Sequence, residues 1–222
     1  MVQDLEPISS PTAVKIVDAA GHLFMQRGYK AVSINDIIRA ADVTKPTLYY
    51  YFADKEELFV QMGLRVLQNL GARLAAAASA PGGTVARLRA LAAVLMDDHD
   101  RDMRMMRHEM AEHLGPANRN RLARAFFAHL FRPILGVMEE GVAEGALGHY
   151  PPVTLANLFL SMSEACQEFA GESRMAAWAA ESGIPVQIGS ISTQEMVELF
   201  LYGVAASGSR GAPDATDEHE CG

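Results

Sequence analysis

The sequence predicts an all-α fold, a small three-helix unit at the N-terminus followed by a larger helical domain. Apolar residues recur at helical spacing through most of the 222 residues, almost nowhere with the strict alternation of a strand. Pro and Gly stand where one apolar stripe gives way to the next.

Residues 1–10 read as a flexible arm. Ala13, Ile16, Val17, Ala20, Leu23 and Phe24 form the stripe of a first helix, with Thr12 placed to cap its start and Gly28 suited to the position past its last turn. Ile34, Ile37, Ile38 and Ala41 recur at i, i+3, i+4 and i+7, which gives a second, short helix one buried face, and Ser33 caps it. After a tight Ala-Asp-Val turn, Thr44 caps a third helix whose first turn accepts Pro46 without losing a hydrogen bond.

Only Leu48 and Phe52 share the inward face of that third helix, so Lys45, Thr47, Tyr49, Tyr50 and Tyr51 are directed elsewhere. Phenol hydroxyls donate to phosphate oxygens, their rings pack on sugars, and Lys45 and Lys55 at the two ends add charge for the backbone. Thr47 and Lys45 are placed to reach base edges, because a recognition helix enters the major groove by its N-terminal residues. The segment 33–59 therefore reads as a helix-turn-helix for double-stranded DNA, with a tyrosine-rich packing helix as the alternative.

Arg27-Gly28-Tyr29 ends the first helix, Ala40-Ala41-Asp42-Val43 is the turn, Thr44-Lys45-Pro46-Thr47-Leu48-Tyr49-Tyr50-Tyr51-Phe52 is the recognition segment, and Lys55-Glu56-Glu57-Leu58 begins the next helix. In these motifs the stretch from Thr12 to Phe59 resembles the N-terminal domain of the TetR-type family of ligand-responsive bacterial transcriptional regulators. The resemblance implies a helix-turn-helix domain over residues 11–59, with a connector helix beginning near Asp54. It also implies DNA contacts from Lys30, Ser33, Thr44, Lys45, Pro46, Thr47, Tyr49, Tyr50, Tyr51 and Lys55. Asp42 departs from the pattern, which commonly has Gly at this left-handed position; Asp tolerates that backbone better than most residues. From Met1 to Val60 six basic residues stand against eight acidic ones, a mark against DNA binding that predicts modest, steeply salt-dependent affinity.

The net charge of −8 excludes a nonspecific nucleic-acid coat and suits one local basic face. Cys166 and Cys221 make no disulfide framework. With no leader and no apolar run of roughly 20 residues, a cytoplasmic location without membrane contact is expected.

Residues 60–206 are expected to form the larger domain and 207–222 a disordered acidic tail. Asp54 and Glu57 have the spacing of a capping box for a long fourth helix that runs to about Ala78, and Pro81-Gly82-Gly83-Thr84 then breaks the chain. Val85, Leu88, Leu91, Ala92 and Leu95 mark a fifth helix, residues 98–112 a sixth, and Arg119 to Glu144 a long seventh that follows a Gly115-Pro116 break. A kink is expected at Pro133, whose ring clashes with the carbonyl of His129.

The resemblance places an effector among the helices after the connector. Met96, Met103, Met106, Met110, Phe126, Phe127, Leu130 and Ile134 are the apolar residues best placed to line its pocket, and Trp178, in the long link of residues 171–192, to cover it. Adaptable methionines suit an apolar or aromatic small molecule, although helical spacing predicts ordinary core for each of them equally well. His108 and His113 are five apart, where a helical metal pair needs four; Glu109 with His113, or His108 with Glu112, could still supply two ligands, but nothing local in sequence completes a set of three, so no metal and no cofactor is expected. Arg101, Arg104 and Arg107 form either a solvated stripe or a site for a carboxylate.

Leu155, Leu158, Phe159, Met162 and Phe169 mark one late stripe, and Met196, Leu199, Phe200 and Gly203 another. Val197, Leu201 and Val204 leave the final helix apolar on a second side, which needs a second neighbour; the resemblance supplies it as a homodimer joined by a four-helix interface. The chain thus reads as a dimeric repressor released from a pseudo-palindromic operator by a small molecule. A DNA-binding regulator without an effector, or an activator, remains the alternative. No Gly-rich phosphate loop, Gly-x-Ser-x-Gly or complete metal cluster suggests an enzyme.

Overall fold

The computed structural model describes residues 10–97, 108–110, 112–170, 181–182 and 191–202, with side chains for all of these except 167–170. Among the described residues the regular structure is helical throughout. The expected arm before Ser10, most of the sixth helix, most of the 171–192 link and the tail lie outside them.

The head is built from α1 (Pro11–Ala31), α2 (Ile34–Ala41) and α3 (Lys45–Tyr51). Thr12 is not the cap of α1: Pro11 already occupies the first helical position, and the preceding Ser10 gives its hydroxyl to the Tyr51 hydroxyl at 3.1 Å. Gly28 breaks α1 at φ 77°, ψ 160°, a backbone that glycine adopts without penalty. Ser33 and Asp36 close a reciprocal capping box at the start of α2. Asp42 then takes the left-handed conformation at φ 48°, ψ 58°, and turns the chain into α3, where the Thr44 hydroxyl accepts the Thr47 N–H at 3.3 Å. Ile16, Phe24, Ile37, Leu48, Leu58 and Phe59 are fully buried where the three helices meet α4, each contributing about 1.5–3 kcal/mol of transfer free energy.

α4 (Lys55–Ala78) carries the chain out of the head. One continuous apolar cluster runs from Ala13 to Val197 through buried α4 residues such as Leu64, Leu67 and Leu74, so head and body share a core. Asp54 does cap α4, accepting the Glu57 N–H at 2.8 Å. The expected box is not closed in return, because the Glu57 carboxylate accepts from Gln61 at 2.7 Å and from Arg121 at 2.8 Å. Its neighbour Glu56 accepts from the Gly115 N–H at 2.8 Å and from Asn118 at 2.9 Å, so a carboxylate of α4 caps the start of α6 (Pro116–Phe126).

The body continues through α5 (Thr84–Leu95), α6, α7 (Arg132–Ala143), α8 (Pro152–Ala170) and α9 (Thr193–Tyr202). At the turn before Pro133 the helix widens into one π turn at Phe127–Phe131, and the Arg132 N–H reaches back five residues to the Phe127 carbonyl. The wide turn absorbs the missing Pro133 N–H while the backbone stays in the right-handed helical region on both sides.

Several apolar residues assigned to binding surfaces take other places. Phe127 is 51% exposed and stacks on Phe131 at 5.5 Å, so it lines no interior pocket. Leu130 and Ile134 are buried, and Met96, Met110 and Phe126 are half-buried against the core; Met103, Met106 and Trp178 lie outside the described residues. Phe159 and Met196 are wholly buried within this chain, Phe159 edge-on to Phe200 at 5.1 Å, and so are not surface contacts for a second copy. Leu155, Met162 and Leu199 are half-buried, whereas Leu158, Val153 and Tyr202 are exposed. Gly203 and the Phe169 side chain are outside the description.

Candidate nucleic-acid interface

The surface of α3 is set by its two ends. Thr44 fixes the first turn, and Leu48 and Phe52 anchor the inner face at 0% and 3% exposure. What remains outside is aromatic and basic: Tyr50 is 81% exposed, Tyr49 46%, and Lys45 and Pro46 are exposed at the leading edge. Thr47 is half-buried, its hydroxyl 2.7 Å from that of Thr44. Tyr51 is half-buried too, with its hydroxyl on Ser10 and its ring edge-on to Tyr50 at 4.9 Å. That contact makes Tyr51 a support for Tyr50 more than an outward group of its own.

Ser33 is exposed, but its hydroxyl is spent within the capping box, donating to Asp36 at 2.5 Å. Asp36 also accepts from Arg39. The Ser33 hydroxyl, then the Ser33 backbone N–H, hold the Asp36 carboxyl down from 3.8 to about 2. Because the folded value is depressed, the cap contributes stability that is complete above the unfolded value near 3.8 and is lost as pH falls toward 2. In Asp36→Asn, the head's melting temperature should therefore vary less between pH 4 and 2 than in the parent; equal acid sensitivity in both would assign that sensitivity to other carboxyls.

Lys55 does not face outward, as a phosphate contact would. Its ammonium donates to the Tyr29 carbonyl at 2.7 Å and the Val32 carbonyl at 2.9 Å, and lies 4.1 Å from the centre of the Tyr29 ring. Burial pushes its pKa down, and Glu109 works against that shift. It closes the chain reversal that Gly28 opens. Lys30, by contrast, is exposed, with Glu112 at 3.9 Å in a loose surface pair.

The unfavourable charge balance of the head is largely absorbed by internal partners. Asp18 pairs with Arg65 at 3.2 Å, Asp36 serves the α2 cap, Asp54 the α4 cap, and Glu56 and Glu57 hold α6. Lys45 is exposed at the start of α3, three residues after the exposed Asp42, while Lys30 has the Glu112 carboxylate 3.9 Å away.

Sequence reasoning gave no role to Tyr29, which ties the head to the body. Its ring stacks on His113 at 5.3 Å and packs on Phe24 and Phe59. His113 Nε2 lies 3.2 Å from Glu109 and 3.5 Å from Glu112. Only the aromatic after Gly28 hinted at such a contact. Among the described residues no group of three His, Cys, Asp or Glu is arranged to hold a metal ion, and no helix is long and apolar enough to cross a membrane.

Residues 16–62, which include α2, α3 and the start of α4, match the family of bacterial regulatory proteins called tetR. The chain is 32% identical over 90 residues to the HTH-type transcriptional regulator AcrR of Shigella flexneri, a match covering 40% of this chain and 42% of the relative. It is 33% identical over 88 residues to the HTH-type transcriptional activator FasR of Mycolicibacterium smegmatis, covering 39% and 40%. These matches thus span about two fifths of each curated relative's length. Over the fold as a whole, a transcriptional regulator of the TetR/AcrR family from Thermobifida fusca superposes with a TM-score of 0.64 at 22% identity, covering 89% of this chain and 100% of the other.

Proposed function

We propose that this chain, a tetR-family protein by its residues 16–62, is a dimeric, sequence-specific transcriptional repressor that a small molecule releases from its operator. One observation carries the proposal: a rigidly capped helix, anchored inward by Leu48 and Phe52, presents Tyr50, Tyr49, Lys45 and Pro46 to solvent. Apart from the edge contact of Tyr50 with Tyr51, these phenols beside a lysine are turned to solvent rather than to the core. They do have the donors and ring faces that a phosphate-sugar backbone takes.

In this reading Lys45 and Thr47 approach base edges, Tyr49, Tyr50 and Lys30 hold the backbone, and Ser33, Thr44 and Tyr51 fix the helices that present them. Lys55 drops out of the contact set because two of its three donors are committed to the Tyr29 and Val32 carbonyls and its ammonium lies over the Tyr29 ring. Two copies joined through the exposed side of α8 around Leu158 and Val153, with Tyr202 of α9, would place two recognition helices about 34–36 Å apart or at a related spacing. A pseudo-palindromic operator follows from that symmetry. An apolar or aromatic effector in the body lowers operator affinity when it fits better with the heads held at another separation, and α4, sharing one core with both parts, is the transmitter.

A second reading, activation, is favoured by the name of one relative, an activator that is 33% identical over 88 residues; the position of the operator relative to the promoter separates the two. Selection of binding sites from random duplex DNA is the test. A palindromic motif is expected, with Tyr50→Ala and Lys45→Ala each lowering affinity about tenfold, and Lys45→Ala reducing the slope of log affinity against log salt by about one. Failure to enrich any motif at low salt would sink the reading.

A further inference from the structure

Where α1 of the head lies along α4, a cavity of about 310 Å³ opens at the surface. We propose that it binds a small carboxylate with an apolar body, of the size and chemistry of an arene carboxylic acid. That such binding would alter the set of the head on its connector rests on the DNA-binding reading above; the binding itself does not.

Val17, Met25, Met62 and Val66 make an apolar floor, and Val17 and Met62 are buried, so the floor is continuous with the core of the head. The volume is at the low end of ligand cavities, roughly 300–1,000 Å³, with room for about ten water-sized groups. Gly21, also in the lining, is an interior helix residue where Ala would favour the helix more. A Cβ there would stand 3.3 Å from Met62 Cγ, so the missing side chain keeps the floor at its present depth.

The rim decides the chemistry. Arg65 pairs with Asp18, its Nε 3.2 Å from Oδ1, and brings to the rim a planar guanidinium, the fork that fits a carboxylate. His22 Nδ1 lies 2.9 Å from the Asp18 carbonyl. A carbonyl only accepts, so Nδ1 carries the proton and Nε2 of the neutral ring is an acceptor; the donors for a carboxylate are those of Arg65 and the rim amides. Asn69 and Gln26 complete the rim with amide donors. A ligand cation would meet an Asp18 already paired with a guanidinium; a ligand carboxylate would share that guanidinium, a group with five N–H donors.

The site joins two helices that belong to different parts of the molecule, so an occupant bears on both at once. Calorimetric titration of the full chain without DNA, using 1-naphthoate and its uncharged amide, tests the assignment. Saturable binding of one naphthoate per chain is expected, with backbone amide shifts concentrated at Gly21, Met62 and Asn69. Arg65→Gln should weaken naphthoate about tenfold and leave the amide unchanged. Asn69→Trp, which fills the rim from an exposed position, should abolish binding of both while melting like the parent. No saturable binding, unchanged affinity in Arg65→Gln, or shifts centred in the body would overturn the proposal. If naphthoate binds as stated but no operator is found by selection, the site stands and the DNA-binding reading falls.

Discussion

Lys55→Met is expected to destabilise the head by about 2–4 kcal/mol, and to reduce DNA binding only in proportion to the head that unfolds. The ammonium donates to two carbonyls, those of Tyr29 at 2.7 Å and Val32 at 2.9 Å, in the reversal between α1 and α2. Bonds to a charged donor are worth about 1.5–3 kcal/mol each, and partial exposure of the site lowers their sum. Methionine keeps most of the aliphatic stem, so the loss reports the head group rather than a cavity. Lys55→Arg should recover little, since a planar fork cannot meet two carbonyls arranged for a compact ammonium. Thermal and urea unfolding of the three proteins measures the loss. The salt dependence of DNA binding by the folded fraction should be that of the parent. A variant that melts like the parent but loses one unit of salt slope would return Lys55 to the phosphate backbone.

The reason Lys55 was misplaced at the level of sequence is physical. Its partners are main-chain carbonyls 26 and 23 residues earlier, and any residue type supplies a carbonyl, so no side chain announces them. The same holds for Glu57: its spacing from Asp54 fits a capping box, yet Arg121, 64 residues away, takes the carboxylate. Local chemistry was legible where both partners lie within one turn. Ser33 with Asp36, Thr44 with the Thr47 N–H, and the left-handed Asp42 all follow from neighbours within three residues. Periodicity also placed Leu48 and Phe52 inward and Tyr49 and Tyr50 outward, though not the half-buried Tyr51, so most of the character of the α3 surface was readable before its geometry. Periodicity could not say which body residues face solvent. Phe159 and Leu158 are adjacent in one stripe, yet one is wholly buried and the other half exposed, because the difference depends on where α9 and α7 pack against α8.

Gly71→Ala is expected to destabilise the body by about 2 kcal/mol or more, against the sign that helix propensity alone predicts. In an open helix the change would gain about 1 kcal/mol. Here a Cβ on Gly71 would lie 2.7 Å from His129 Cβ, 2.9 Å from the His129 carbonyl oxygen and 3.1 Å from its Cα. Two of those three atoms are backbone, in the π turn, and backbone has no rotamer by which to yield. The contact exists because Pro133 offers no N–H to His129 and the wide turn brings that residue's backbone against α4. Gly141→Ala provides the contrast. A Cβ there would meet Thr84 Cγ2 at 2.7 Å and two Leu147 side-chain atoms at 2.8 and 2.9 Å; all three belong to side chains rather than backbone, so part of the strain can relax and a smaller loss is expected. Chemical unfolding of both variants and of the double substitution tests this ordering. The two sites have different partners, so their effects should add within about 0.5 kcal/mol. A Gly71→Ala protein more stable than the parent would mean that α4 does not rest on the π turn. In the mechanism proposed for this chain α4 is the transmitter, so Gly71→Ala should also change operator affinity in the protein that remains folded.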